Sequence, residues 1–477
     1  MEFLKFKHSA NSGDLIAAMA GIHEVCAKRN KKAIIYQRLN MPGSYYEGAT
    51  HPIKDSNNID VTMNLKMFEY LKPLIEGQDY VHEFLVYNGE QVDFDLDNIR
   101  NFKINIPLGQ IQRWYFYVYP QLACDLSERW ITPLKFNESP LNSFIIINRT
   151  ERYNNFNITY FFLKYYQEIL IFAGTQDEHK KFCLDWGINI PLLVVNNFND
   201  LASAINDCMF FLGNQSFCWN LAEAMKIPRI LEVCEFAPNC IPVGYDGYDF
   251  YHQPSLEYYF KKLLNNHSYD NKNCIICGNL SVKLFQKNNI DYHICTECHT
   301  LFSEKLDNSH KVGGSNEDIR NETNIPIILE RLKSFEFKNL NILDFGCGNG
   351  ILLNAMKKEG IKCFGYDKYN EKYNKLPKKN TYNIVTLIEV IEHLTSPFDE
   401  LDLIYNSLKE NGLLYIETSF VDIALKMGIK LSEFEYVNPQ LGHNTIFSHY
   451  SLDILMFQKG FKKIQQINDN VIIYQKK

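Results

Sequence analysis

Residues 341–350 read N-I-L-D-F-G-C-G-N-G, and this order decides how the second half of the chain folds. An apolar pair, Ile342 and Leu343, leads into Asp344, and glycines follow at 346, 348 and 350. Such a run predicts a strand that stops in a turn of bare backbone N–H groups, placed around an anionic or nucleotide-like ligand. Ile351 to Glu359 continues with helix formers. Leu352, Leu353 and Met356 fall on one face, and Gly360 sits where a C′ glycine belongs. Strand, glycine turn and helix are all present in order.

The glycines are spaced G-x-G-x-G behind an aspartate, not G-x-G-x-x-G as in a dinucleotide fingerprint. Seventeen residues beyond Gly350, the run Lys362 to Tyr366 ends in Asp367, a carboxylate at the tip of a second strand. A carboxylate there can accept both hydroxyls of a ribose. The pattern resembles class I S-adenosylmethionine (SAM)-dependent methyltransferases. The resemblance implies that Asp344, Gly346, Gly348 and Gly350 hold the methionine end of SAM and that Asp367 takes the ribose. Glu389, at the end of a later strand, joins the same cofactor-binding set. Only fourteen residues separate Asp367 from that strand, 382–388. These enzymes normally fit a strand, a helix and an adenine contact into that interval, so no adenine-contacting residue is assigned. The bland reading of 341–350 is an ordinary glycine turn in an α/β domain.

Glu389, Glu392 and His393 spell E-x-x-E-H. This resembles the divalent-metal site of some O-methyltransferases, including those of quinone biosynthesis. Two carboxylates and an imidazole can hold Mg²⁺, or His393 can act alone as a base, with Glu392 beside it; the base reading is preferred here. The tail G-H-N-T-I-F-S-H-Y-S-L-D-I-L, 442–455, adds His443 and His449 as weaker candidates.

The whole chain has 477 residues, enough for two to four domains, and its 46% hydrophobic content is that of a globular protein. A net charge of −7 gives no electrostatic reason to expect a nucleic-acid partner. Lys368, Lys372, Lys375, Lys378 and Lys379 read as a solvated loop. No signal peptide or membrane-length apolar run stands out. Thirteen cysteines, an odd number and mostly scattered, fit a reducing compartment, so a cytoplasmic location is expected.

At the other end of the chain, 2–7 predicts a strand, S-A-N-S-G-D a turn, and Leu15, Ile16, Met19, Ile22 and Val25 the buried face of a helix. The words S-G-D-L-I-A-A-M-A-G-I resemble the opening of bacterial heptosyltransferase-type glycosyltransferases of the GT-B fold. That resemblance makes Gly13 a nucleotide-sugar-cleft residue and Asp14 the general base on an acceptor hydroxyl; the bland alternative is a favourable charge at a helix start. An aromatic run at 114–119 reads as core. A helix from 63 is expected to break at Pro73. From Phe144 onward strands and helices alternate, with strands expected at 144–147, 169–172, 192–195, 209–212 and 229–233, which predicts a second parallel sheet. F-L-G-N-Q-S-F-C-W-N-L-A-E-A-M, 210–225, resembles the donor loop of the same glycosyltransferases. Gly213, Asn214, Gln215 and Ser216 would then face a nucleotide diphosphate, and Glu223 a ribose or solvent.

Cys274 and Cys277 are separated from Cys295 and Cys298 by seventeen residues that read as a hairpin. This spacing predicts a zinc ribbon, and four thiolates leave a tetrahedral ion no open position, so its zinc is structural. The expected α/β organisation is a GT-B-like first lobe over 1–140, a nucleotide-diphosphate lobe over 141–265, the ribbon over 270–303, and a class I methyltransferase domain over 320–477. The expected function is a bifunctional glycan-modifying enzyme with a nucleotide sugar as possible donor and a small molecule or glycan as substrate. The alternative is a nucleotide-sugar C- or O-methyltransferase whose first half only recognises the sugar nucleotide or glycan. Oligomeric state is not legible.

Overall fold

Alternation in F-L-K-F-K-H makes β1 (Phe3–His8), which buries Leu4, Phe6 and His8 and leaves the residues between them half covered. Asn11 caps α1 (Ser12–Arg29), and a capping box closes between Asn11 and Asp14. The helix ends at Asn30, which takes the left-handed φ of 52° suited to asparagine. β2 (Lys32–Gln37), β3 (Val81–Val86) and β4 (Phe94–Asp95) complete a parallel sheet in the order β3-β2-β1-β4. In the computed structural model, residues 2–43, 53–105, 109–135, 141–303, 325–331 and 340–477 are described.

Helix α2 (Leu65–Glu76) runs through Pro73 where the sequence predicts a break. Leu71 before the proline and Leu74 and Ile75 after it are fully buried, and this packing outweighs one lost backbone bond near the helix end. The aromatic run forms α3 (Ile111–Val118), with Trp114 and Tyr115 in the core as expected.

The second sheet joins β5 (Ile145–Asn148), β6 (Leu170–Phe172), β7 (Phe210–Asn214), β8 (Arg229–Glu232) and β9 (Gly247–Phe250) in the order β6-β5-β7-β8-β9. All four of its pairings are parallel. Between the strands run α4 (Gln176–Trp186), α5 (Phe198–Asp207) and α6 (Phe217–Met225), and α7 (Gln253–His267) follows the last. The strand expected at 192–195 is reduced to a single bridge between Phe172 and Leu192. Val194 is 85% exposed, so this edge has no second face to bury. One core cluster takes in residues from both sheets, from Leu4 through Trp219 and Leu231.

The chain divides into two units, Met1–Tyr269 and Asp270–Lys477. In the second, β10 (Lys272–Asn273), β11 (Leu280–Lys287), β12 (Ile290–Cys295) and β13 (Leu301–Ser303) form an antiparallel ribbon. Residues 325–331 form helix α8; the rest of the helix expected to 335, and the stretch 311–324, lie outside the described residues. Then come β14 (Ile342–Phe345), α9 (Ile351–Lys358), β15 (Cys363–Tyr366), β16 (Tyr382–Ile388), α10 (Pro397–Ser407), β17 (Leu408–Glu417) and α11 (Val421–Lys426). β18 (Thr445–Ile446), α12 (His449–Gln458), β19 (Phe461–Gln466) and β20 (Val471–Lys476) close the chain. The sheet order is β15-β14-β16-β17-β20-β19, parallel through β17 and antiparallel beyond. β15 is the edge of this sheet, in keeping with the short interval after Asp367. The ribbon borrows β18 from the tail of the chain, which pairs with β13. Among the described residues no helix is long and apolar enough to cross a membrane.

Candidate functional site

In the first unit both helix starts meet one cleft of about 700 Å³, lined among others by Gly13, Asp14, Gln215, Ser216 and Asn220. A Cβ on Gly13 would lie 3.1 Å from Asn220 Nδ2, so the glycine lets the start of α1 approach α6. Asp14 Oδ2 accepts from the backbone N–H of Asn11 at 3.2 Å, so this carboxylate already caps its own helix. Ser216 caps α6 by accepting from Trp219 N at 3.1 Å.

The remaining donor-loop residues hold the loop itself. Gly213 packs against β5, where a Cβ would come within 2.6 Å of Asn148 O. Asn214 donates to Thr150 O at 2.8 Å and accepts from Thr150 N at 2.9 Å. Gln215 Nε2 donates to Ala237 O at 2.6 Å, and its Oε1 accepts from Cys234 N at 3.1 Å. Glu223 is neither toward a ribose nor on a solvated face: it is 1% exposed and pairs with Lys226 and with Arg229, whose Nε lies 2.5 Å from Oε2. A buried guanidinium needs a carboxylate, and Glu223 supplies it. Asn148 and Asn220 also line the cleft. No spacing in the sequence singles them out; only the fold places them there.

In the second unit β14 delivers Asp344 into the interior, 4% exposed, with Thr386 Oγ1 donating to Oδ1 at 3.0 Å. Burial pushes its carboxyl up to about 6, the Thr386 bond pulls it back, and the Asp367 charge adds to the rise. Gly346, Gly348 and Gly350 all have positive φ, 80°, 53° and 77°, which only glycine adopts freely. Asp367 Oδ2 accepts from Gly348 N at 2.9 Å, and Oδ1 accepts from Tyr369 N and Asn370 N at 2.9 and 3.1 Å. These bonds tie the second strand tip to the glycine turn.

Glu389, at the end of β16, takes a left-handed φ of 52°. A short turn, Ile391–His393, follows it. The three ligand-type atoms of Glu392, His393 and His443 lie within 4.8 Å of one another. Glu389 is not one of the three, so the E-x-x-E-H set does not converge as a metal reading expects; His443 stands in its place. His393 Nδ1 bonds Gly442 O at 3.0 Å and His443 Nδ1 bonds Tyr436 O at 2.6 Å. A carbonyl only accepts, so each Nδ1 carries its proton. Glu392 is fully buried; its Oε2 accepts from Thr418 Oγ1 at 3.0 Å, and its Oε1 has no hydrogen-bond partner. Thr418 also bonds Tyr436 Oη at 2.9 Å. Burial first, then the charges of Glu392 and Glu389, hold the Tyr436 phenol well above its ordinary value. Thr418 and Tyr436 were invisible as site residues, being far from any motif. His449 lies apart at the start of α12, 3.4 Å from Asp422 Oδ2.

The four ribbon cysteines converge. Cys274 and Cys298 sulfurs lie 3.5 Å apart, and those of Cys277 and Cys295 3.4 Å apart. Both exceed the roughly 2 Å of a disulfide and approach the roughly 3.8 Å edge of a zinc–thiolate tetrahedron. Backbone N–H groups of Ile276, Glu297 and Cys298 point at Cys274 and Cys295 sulfurs at 3.4 Å. Bonding from Cys295 and then Cys298 draws the Cys274 thiol down to about 4. Four converging sulfurs, two of them facing backbone N–H groups, fit a cation.

Comparison with known proteins gives a family match within the second unit. A family model described as "Methyltransferase domain" matches residues 317–466. A tRNA U34 carboxymethyltransferase of Aliivibrio salmonicida is 33% identical over 109 residues, 18% of this chain and 34% of that relative. The chain spans only 34–43% of the curated relatives it matches. Among solved structures, a SAM-dependent methyltransferase from Archaeoglobus fulgidus aligns at 20% identity over 35% of this chain and 97% of its own, with a TM-score of 0.24. A family 9 glycosyl transferase from Veillonella parvula aligns at 12% identity over 52% of this chain and 88% of its own, with a TM-score of 0.36. Residues 317–466, built around the glycine turn of β14 and its two carboxylates, are a methyltransferase domain.

Proposed function

We propose that the chain is a bifunctional glycan-modifying enzyme, a SAM-dependent methyltransferase joined through a structural zinc ribbon to a glycosyltransferase-like first unit. The observation that carries the pairing is the cleft of about 700 Å³ on which both βα motifs of the first unit converge, in the same chain as a methyltransferase domain. The second unit would hold SAM through Asp344, Gly346, Gly348, Gly350 and Asp367, with Glu389 beside them. A buried carboxylate with one hydroxyl bond suits the ammonium of a methionine moiety. When bound, SAM supplies an electrophilic methyl group. The chain's own part is to place a nucleophile and take its proton. His393, with Nδ1–H fixed on Gly442 O, presents Nε2 as the proton acceptor. Glu392 sits 3.7 Å from that nitrogen and favours the imidazolium formed. Glu392, His393 and His443 also offer a divalent cation three donors. Zinc would sit between Cys274, Cys277, Cys295 and Cys298.

In the first unit, Ser216 and the start of α6 would face a nucleotide diphosphate, and Asp14 an acceptor hydroxyl. The capping bond on Asp14 favours the second reading, a unit that binds a sugar nucleotide or glycan without transferring it. Methyl transfer to glycan and nucleotide-sugar acceptors, followed with labelled SAM, tests the proposal. Transfer that survives EDTA and disappears in His393→Ala supports the base. Loss in EDTA restored by Mg²⁺ assigns the Glu392 cluster to a metal. Donor hydrolysis lost in Asp14→Asn separates transferase from recognition module.

A further inference from the structure

The segment 434–446 supplies three groups to the cluster of Glu392, His393 and His443. Its Gly442 O holds His393 Nδ1, its Tyr436 O holds His443 Nδ1, and His443 itself belongs to it. Between Tyr436 and His443 the regular structure is one short turn, Pro439–Leu441, so the position of the segment depends on what grips its ends. The ribbon grips both. At one end Lys287 Nζ, from the last residue of β11, donates to Phe434 O at 3.3 Å. At the other, Ser303 N donates to Asn444 O at 2.9 Å, and β13 pairs with β18. Asn444 passes the grip on, its own N–H donating to Glu392 O at 3.0 Å. One residue thus joins the ribbon to the turn that carries Glu392 and His393.

These attachments begin at the cysteines. β13 starts three residues beyond Cys298, and Cys295 N donates to Thr300 O at 2.9 Å across that knuckle. Ser448, 1% exposed, donates through Oγ to Cys298 O at 2.6 Å. Cys274, Cys295 and Cys298 share one buried cluster with Phe447 and with Ile391 and Leu394, which flank Glu392 and His393. Strands of three and two residues do not persist by themselves. Binding of a cation by such a knuckle is folding free energy, so its loss frees the strands that grow from it. The cofactor side is held differently. Asp344 and Asp367 take hydrogen bonds from Thr386, Gly348, Tyr369 and Asn370, all of them outside the ribbon.

We propose that the ribbon is the positioning element for His393 and His443. Metal held by Cys274, Cys277, Cys295 and Cys298 fixes segment 434–446 and, through Asn444, the Glu392–His393 turn, while cofactor binding stays independent of it. The inference rests on the zinc reading of the four cysteines and gives that zinc a part in the geometry of proton removal.

Hydrogen exchange read by mass spectrometry on the full chain tests it, with the protein as purified, after zinc removal by a chelator, and after zinc is returned. Removal should speed exchange over 391–394 and 434–446 about tenfold or more, and return of zinc should restore it. Calorimetry with S-adenosylhomocysteine should stay within about twofold throughout. Diethyl pyrocarbonate reads the histidines themselves: His443, 7% exposed, should be modified faster once zinc is gone. Lys287→Met supplies an arm in which the metal stays bound. It removes the bond to Phe434 O, so exchange over 434–446 should rise with zinc content unchanged. Faster exchange confined to 272–303 on zinc removal would overturn the proposal and leave the zinc ribbon standing. Loosening of the whole second unit with loss of S-adenosylhomocysteine binding would overturn it as well, as would unaltered exchange over 434–446 in Lys287→Met. A chain that carries no zinc and takes up none when it is added sinks the ribbon reading along with it.

Discussion

Asp344 gives the second unit a pH dependence of known sign. Its carboxyl is pushed from 3.8 to about 6, so the fold holds the proton more firmly than the open chain does. The stability penalty for ionising it therefore sets in as pH rises from about 4 to 6 and is complete above that range. A cationic amino group bound beside Asp344 would reverse the penalty. The affinity for S-adenosylhomocysteine is then level above about pH 7 and falls as pH drops through 6, approaching tenfold per unit. Asp344→Asn should flatten this profile and weaken binding at least tenfold at pH 8, as read by calorimetry at pH 5 and 8. Glu223 makes a different residue-scale case. Its removal leaves Arg229, which is fully buried, without a counter-charge, so Glu223→Ala should lower the unfolding free energy of the first unit by about 3–5 kcal/mol in denaturant titration. A side chain that touched only ligand would leave stability unchanged.

At the scale of elements, the ribbon and the methyltransferase sheet share more than a linker. β18 lies between His443 and α12 in sequence yet pairs with β13, and Ser448 Oγ donates to Cys298 O at 2.6 Å. Cys295→Ser should abolish zinc binding, measured by metal analysis of protein prepared without chelator, and lower the melting temperature of the second unit. Stoichiometric zinc in that variant would contradict a four-thiolate site. The two C-x-x-C pairs made this element legible because ligand spacing is local. The strand–turn–helix at 341–358 was legible for the same reason, as were Gly13 and Gln215 at the cleft. Borrowing of β18 was not, since the register pairs Leu301 with Ile446 and Phe302 with Thr445, 145 and 143 residues apart along the chain, and no local pattern encodes it. Pro73 and 192–195 went astray because burial, which local propensity does not see, kept one helix going and denied the other segment a sheet. Asn214 and Gln215 stand in a loop that resembles a donor site, but only the fold reveals that their side chains brace Thr150 and the 234–239 segment.

On the scale of the whole molecule, the chain divides into two units, Met1–Tyr269 and Asp270–Lys477. Residues 317–466 are a methyltransferase domain, and the first unit encloses a cleft lined by two helix starts and aromatic rings. Equilibrium titration of the full chain with S-adenosylhomocysteine, repeated in the presence of a saturating nucleotide sugar, tests the bifunctional account most directly. It predicts one site of each kind per chain, the first lost in Asp344→Ala and the second retained there. A single stoichiometric event, with the two ligands excluding each other or the nucleotide sugar failing to bind, would contradict it.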